Sequence, residues 1–222
     1  SLLEEFAPFL KKAGVGRINV SLDTLQRERF IRLTGQDRLA QVLAGIKKAQ
    51  EVGLTPVKIN MVVMKGFNSD EIVDIAKFAV ENQYQARFIE YMPFRAGKDY
   101  LFTAEEMKKQ LENAGFKLIL QTGGSGPAKI YNIPNSQGSI GFITPISQHF
   151  CSSCNRIRLT PDGCLKPCLL SNEEYPLRQQ LRSGISDDEL LEKIRGIVWN
   201  KPERHSLAKK QKSERGMSRI GG

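Results

Sequence analysis

The chain's four cysteines all fall between positions 151 and 168, and no thiol precedes Cys151. The stretch reads Cys151-Ser152-Ser153-Cys154, then Asn155-Arg156-Ile157-Arg158-Leu159-Thr160, Pro161-Asp162-Gly163 and Cys164-Leu165-Lys166-Pro167-Cys168. A C-x2-C pair on a turn presents two thiolates to one metal centre, and Asp162-Gly163 is a hairpin signal that carries a further cysteine back beside them. Two chemistries fit. Tetrahedral zinc would use all four thiols, as in a zinc ribbon. An iron–sulfur cluster on Cys151, Cys154 and Cys168 alone would keep one iron open for an exogenous ligand, making the site catalytic or substrate-binding. Cys164 decides between them, and strand periodicity does not remove it, because on a strand it shares a face with Cys168.

Other residues add anion chemistry. Arg156 and Arg158, two apart on an expected strand, point to one face beside the thiolates, where paired guanidiniums suit a phosphate or carboxylate as well as an ordinary surface. Lys58 interrupts an otherwise apolar strand, so its charge needs either an ion-pair partner or an anionic ligand at a barrel mouth. Ser21 and Met92 taken alone read as cap or core residues.

The elements that position these groups follow from periodicity. An amphipathic helix spans 2–12, a strand 17–23, a helix 38–52 and a nearly apolar strand 57–64. A Gly66-Phe67-Asn68 turn, a helix over 70–82 and a strand over 86–91 follow. Strand and helix alternate with short connections, the signature of right-handed βαβ units and a parallel sheet buried on both sides. Past Pro93 the pattern changes to a helix over 103–114 and short runs at 117–121, 130–133 and 139–144 that look antiparallel. Helices over 172–182 and 186–198 precede a basic tail. The fold class is therefore α/β, with a first region over 1–95 and a C-terminal α+β extension over 96–222.

Composition bounds the answer. A chain of 222 residues, 40% hydrophobic and 26% charged, buries a substantial core and is neither disordered nor membrane-spanning. A net charge of +9 favours nucleotides, phosphates or nucleic acid. Lys209, Lys210, Lys212, Arg215 and Arg219 supply part of that surplus in a run that reads as a solvated tail. Clustered cysteines without a signal peptide point to a reducing, cytoplasmic compartment. The opening at Ser1, with no initiator methionine, reads as a trimmed or partial chain.

At this point the residues resemble a known family. Phe150-Cys151-x-x-Cys154-Asn155-Arg156-Ile157-Arg158-Leu159-Thr160-x-Asp162-Gly163 with Cys168 and Leu169 is similar to the C-terminal cluster motif of the GTP 3',8-cyclases of molybdenum cofactor biosynthesis. Residues 17–23, Lys58-Ile59-Asn60, 87–93 and the terminal Gly221-Gly222 resemble that family in the same order. The resemblance implies a radical S-adenosylmethionine enzyme: the C-terminal half of an incomplete (β/α)6 TIM-like barrel, closed by an extension that carries an auxiliary 4Fe–4S cluster. It implies that Cys151, Cys154 and Cys168 hold that cluster, with Cys164 a bystander, and that the open iron takes the guanine of GTP. By the same carry-over Lys58, Arg156, Ile157 and Arg158 would bind GTP, while Ser21 and Met92 would contact S-adenosylmethionine.

The departure is an absence. Family members carry a C-x3-C-x2-C motif on the first barrel strand for a second 4Fe–4S cluster, which cleaves S-adenosylmethionine, and no cysteine precedes Cys151. This chain alone is then expected to be inactive, its partners being GTP, the N-terminal barrel half and, in a homodimer, a second copy. The edge of the strand at 17–22 would stand open to pairing. Two other readings remain: a zinc-stabilised nucleic-acid-binding module, and another radical S-adenosylmethionine enzyme whose auxiliary cluster serves a peptide.

Overall fold

The computed structural model describes residues 2–93, 100–123 and 126–204. The chain divides into two compact units, Ser1–Met92 with Lys98–Gln148, and Pro93–Gly97 with His149–Gly222.

In the first unit, α1 (Leu3–Lys12) has Glu4 and Glu5 in its first turn and Lys11 and Lys12 in its last, charges that complement the helix dipole. It packs on α3 (Leu39–Glu51), where Gly45 permits close approach: a Cβ there would lie 3.0 Å from Leu3 Cβ. Strands β1 (Ile18–Ser21), β2 (Val57–Val63) and β3 (Gln85–Glu90) pair in parallel, linked by α3 and by α4 (Ile72–Glu81). A helix unassigned in the sequence reading, α2 (Arg27–Thr34), lies between β1 and α3. Its segment, RERFIRLT, is mostly polar, and Phe30 is its only buried residue, so no apolar periodicity announces it.

The sheet does not end near residue 95. After α5 (Ala104–Asn113), β4 (Ile119–Leu120) pairs with β5 (Ala128–Asn132) and β5 with β6 (Ser139–Ile143), both antiparallel as expected. The difference lies in β6, which pairs on its other side in parallel with β3 to complete the order β1-β2-β3-β6-β5-β4. Residues assigned from sequence to the extension thus complete the first unit's sheet. Gly138 makes the approach possible, because a Cβ there would sit 2.7 Å from Val80 Cα at the end of α4.

A second difference concerns burial. The expectation is a sheet covered on both sides. One face is: Val57, Ile59, Met61, Val63, Ala86, Phe88, Ile140 and Phe142 share a core with residues of α3, α4 and α5. The alternate residues, Asn19 and Ser21, Lys58 and Asn60, Gln85 and Arg87, are half-buried or exposed. A parallel sheet is ordinarily apolar on both faces, so this polar second face is a departure with a purpose to find.

Buried polar groups hold the loops at the strands' C-terminal ends. Glu90, fully buried at the end of β3, accepts from Ala104 N at 3.0 Å, Ile146 N at 3.0 Å, Ser147 N at 2.9 Å and Ser147 Oγ. Asn68 donates from Nδ2 to Asp23 O and Val62 O, each at 2.9 Å, and accepts from Met64 N at 2.7 Å. Glu71 accepts from Thr24 Oγ1 at 2.6 Å and Leu25 N at 2.7 Å and pairs with Arg29.

The second unit contains a hairpin of β7 (Arg158–Leu159) and β8 (Leu165–Lys166), then α6 (Leu177–Arg182) and α7 (Asp187–Trp199). Its small core is Leu165, Leu177 and Ile197, with Tyr175, Leu190 and Ile194 against it. The helix expected from 172 starts only at Leu177, because Pro176 occupies its N-cap and Tyr175 bridges back to Leu165 at 2.7 and 2.9 Å. Among the described residues no helix is long and apolar enough to cross a membrane.

Two stability tests follow from the buried carboxylates. Glu90→Ala leaves three backbone donors without their acceptor and should cost about 3 kcal/mol or more in urea unfolding; a loss under ~1 kcal/mol would mean water replaces the carboxylate. Burial pushes the Asp23 carboxyl above its ordinary value, opposed by the Val62 N–H, which it accepts at 2.7 Å. The folded state then binds the proton more tightly than the unfolded chain, so the Asp23 charge costs stability at neutral pH and that cost vanishes as pH falls through the folded value. Relative to the parent, Asp23→Asn should be more favourable at about pH 7 than at about pH 4 in denaturation series; a pH-independent difference would refute it.

Candidate functional site

Cys151 opens a single 3₁₀ turn closed by Cys154 N–H to Cys151 O at 3.1 Å, so the C-x2-C pair does sit on a turn. Arg156 lies ahead of the hairpin and only Arg158 is on β7, so the expected common strand face does not describe the pair. The hairpin turns through Thr160, a buried residue whose Oγ1 donates to Asp162 Oδ1 at 2.5 Å and accepts from Cys164 N at 2.9 Å. Thr160 N–H reaches Cys164 O at 2.9 Å, which holds Cys164 through its backbone within the turn. Gly163 has φ +81°, and a Cβ on it would lie 2.5 Å from Arg178 Cβ. The strand β8 is only two residues long, so Cys164 and Cys168 lie on either side of it rather than along one strand face. Past β8, the buried Lys166 donates from Nζ to Ser171 O and lies 3.5 Å from Glu174, while Ser171 N–H meets Cys168 O at 3.3 Å. These contacts fix the loop that carries the last cysteine.

Electrostatics link the thiols. Burial pushes the Cys168 thiol above its ordinary value; Cys151 and Cys154 push the same way, while a backbone hydrogen bond from Leu170 and the charge of Lys201 oppose it. Burial likewise pulls Arg158 below its usual value, with Arg156 adding to the effect and Cys168 opposing it. Cys168 is thus within reach of two other sulfur charges and of one arginine. Lys201 Nζ meets Cys154 O at 2.8 Å, Arg156 O at 2.8 Å and Cys154 Sγ at 3.3 Å. Among the described residues no three Cys, His, Asp or Glu side chains converge on a point that could hold one metal ion. Mononuclear zinc needs such convergence, with sulfurs ~2.3 Å from the metal. A cluster seats each thiolate on a different iron and so takes a wider set of thiols than a single ion does.

On the first unit's polar face, Lys58 neighbours Asn19 on β1 and Gln85 on β3. Burial pulls its ammonium below the usual value, and Arg87 and Arg17 pull further. Arg87 donates from Nε to Gln85 Oε1 at 2.9 Å and from Nη1 to Asn19 Oδ1 at 3.4 Å, so neutral acceptors hold it beside Lys58. Asn60 Oδ1, opposite Arg87 in the register, is buried without a hydrogen-bond partner among the described residues. Ser21 is exposed at the last position of β1, and Met92 is half-buried just past β3.

Each unit therefore gathers some of the expected residues: Ser21, Lys58 and Met92 in the first; Cys151, Cys154, Cys168, Arg156, Ile157 and Arg158 in the second. Arg17, Asn60, Arg87 and Lys201 went unassigned. A signal existed for Asn60 and Arg87, since three successive strands each carry polar residues two apart, which puts them on one face. Lys201 had none, because its contacts join positions far apart in the chain.

Comparison with known proteins divides the chain at a different place, ahead of β3. The Radical SAM superfamily model matches residues 1–79, and the Molybdenum Cofactor Synthesis C model matches 84–207. The second match spans more than half of the chain and marks it as a molybdenum cofactor synthesis protein, with a radical S-adenosylmethionine match ahead of it. The GTP 3',8-cyclase of Alkaliphilus metalliredigens is 44% identical over 231 residues, covering all of this chain and 69% of that protein. The GTP 3',8-cyclase of Thermodesulfovibrio yellowstonii is 44% identical over 225 residues with the same coverage, and that of Peptoclostridium acidaminophilum is 44% identical over 230 residues, 68% of its length. The chain belongs to the GTP 3',8-cyclase family.

The hairpin turn offers a local test. Gly163→Ala combines a left-handed backbone with a clash against Arg178 and should destabilise the second unit by about 2 kcal/mol or more. An unchanged denaturation midpoint would mean that the turn relaxes freely.

Proposed function

We propose that the intact protein converts GTP to (8S)-3',8-cyclo-7,8-dihydroguanosine 5'-triphosphate by S-adenosylmethionine radical chemistry, and that this chain's part is to hold and orient the nucleotide. The observation that carries the reading is Cys168, half-buried within reach of the charges of Cys151, Cys154 and Arg158. Three thiolates beside a half-buried guanidinium make a metal-ligand set with an anion-binding group attached. Cys151, Cys154 and Cys168 would hold an auxiliary 4Fe–4S cluster, whose open iron, when the cluster is bound, supplies a ligand position for the guanine.

The remaining roles belong to side chains. Arg158 is half-buried and feels the charge of the exposed Arg156, so a phosphate arriving there would meet two guanidinium donors. Lys58, with Arg87 and Arg17 around it, makes the polar face positive, and Asn60 Oδ1 offers an acceptor still to be satisfied. We read this face as the lumen wall of an incomplete (β/α)6 barrel, with Ser21 and Met92 at the strand ends contacting S-adenosylmethionine. Triphosphate binding would then be positioning work: fixing the ribose where hydrogen abstraction occurs. No cysteine precedes Cys151, so the radical-generating cluster motif is not among these 222 residues.

Anaerobic reconstitution with iron and sulfide should give about four irons per chain and a brown chromophore, and Arg156→Ala or Arg158→Ala in the reconstituted protein should weaken GTP binding roughly 10–100-fold. A colourless protein that takes up one zinc would overturn the cluster, and unchanged GTP affinity in both variants would overturn the arginines' role.

A further inference from the structure

We propose that Lys201 is a positioning residue for the cluster, joining the second cysteine and the first arginine of the site into one rigid loop and donating directly to a ligand sulfur. An ammonium has three donors. Those of Lys201 have three acceptors at hand: Cys154 O and Arg156 O at 2.8 Å each, and Cys154 Sγ at 3.3 Å. The two carbonyls flank Asn155, so one side chain pins the peptide between a thiol and a guanidinium.

The approach comes from elsewhere in the unit. Lys201 follows α7, with its N–H on Val198 O at 3.3 Å, and α7 is seated by Ile197 in the core that also contains Leu165 of β8. Lys201 takes part in none of the ion pairs among the described residues. A half-buried ammonium turned inward onto two carbonyls, without a carboxylate, matches a thiolate as its negative partner better than it matches a surface lysine, which keeps its head in water. Hydrogen bonds to ligand sulfurs raise a cluster's reduction potential, and outer partners of metal ligands typically change affinity 10–100-fold.

The inference rests on the three-cysteine reading, and the test separates the two. The parent chain, reconstituted anaerobically, is compared with Lys201→Met, which keeps the stem and removes the donors. Lys201→Met should release iron to a chelator roughly 10–100-fold faster. It should also show a more negative reduction potential by EPR-monitored titration, with Lys201→Arg recovering part of both. If Lys201→Met does not fold by circular dichroism, Lys201→Gln replaces it, with the same direction expected for both readings because the charge is gone. A folded neutral variant with the parent's release rate and potential overturns the role of Lys201 while leaving the cysteines assigned. A parent that takes up no iron overturns the cysteines, and Lys201 falls with them.

Discussion

One buried carboxylate organises the first unit. Glu90 ends β3 with three backbone N–H groups and a hydroxyl directed at it, from the first residue of α5 and from the 146–147 loop. A charge without water must be met by donors, and donors without water must be met by an acceptor, so these segments have one arrangement that satisfies both demands. The consequence runs through the sheet. Anchoring the loop beyond β6 at the end of β3 matches the parallel pairing of those two strands, and β5 and β4 then add outward from β6.

The second unit solves a different problem. Its hairpin strands are two residues each and its core is three buried side chains, too little for apolar packing to define a site to fractions of an ångström. Polar side chains take over: Thr160 closes the turn, Lys166 spans the loop after Cys168, and Lys201 holds the loop after Cys154. Each reaches backbone carbonyls or amides, so the loops are fixed at the main chain.

Residue spacing pointed to a candidate site more readily than it pointed to the pairing of the sheet. Cysteine spacing and the arginines after them were visible because metal and anion chemistry demands particular residue types at short separations, and local spacing survives in one dimension. The helices α1, α3, α4 and α5 were visible because each presents an apolar stripe. What stayed hidden depended on pairing across the chain. Strand β6 reads the same whether its neighbour is parallel or antiparallel, and only the contact of Gly138 with α4 shows why it lies beside β3. The polar face went unseen because β2 is apolar enough to pass for a strand buried on both sides. Lys201 stands 47 residues from Cys154, beyond any spacing rule.

The polar face has an energetic consequence of its own. Burial already disfavours the charge of Lys58, and the like charges of Arg87 and Arg17 add a repulsion to it. A polyanion bound on this face would remove part of that repulsion, which would link its binding to folding. That makes ionic strength a hidden variable of the protein. Salt would ease the repulsion in the free state while weakening the attraction in the bound one, and the two opposite trends meet on the same three side chains.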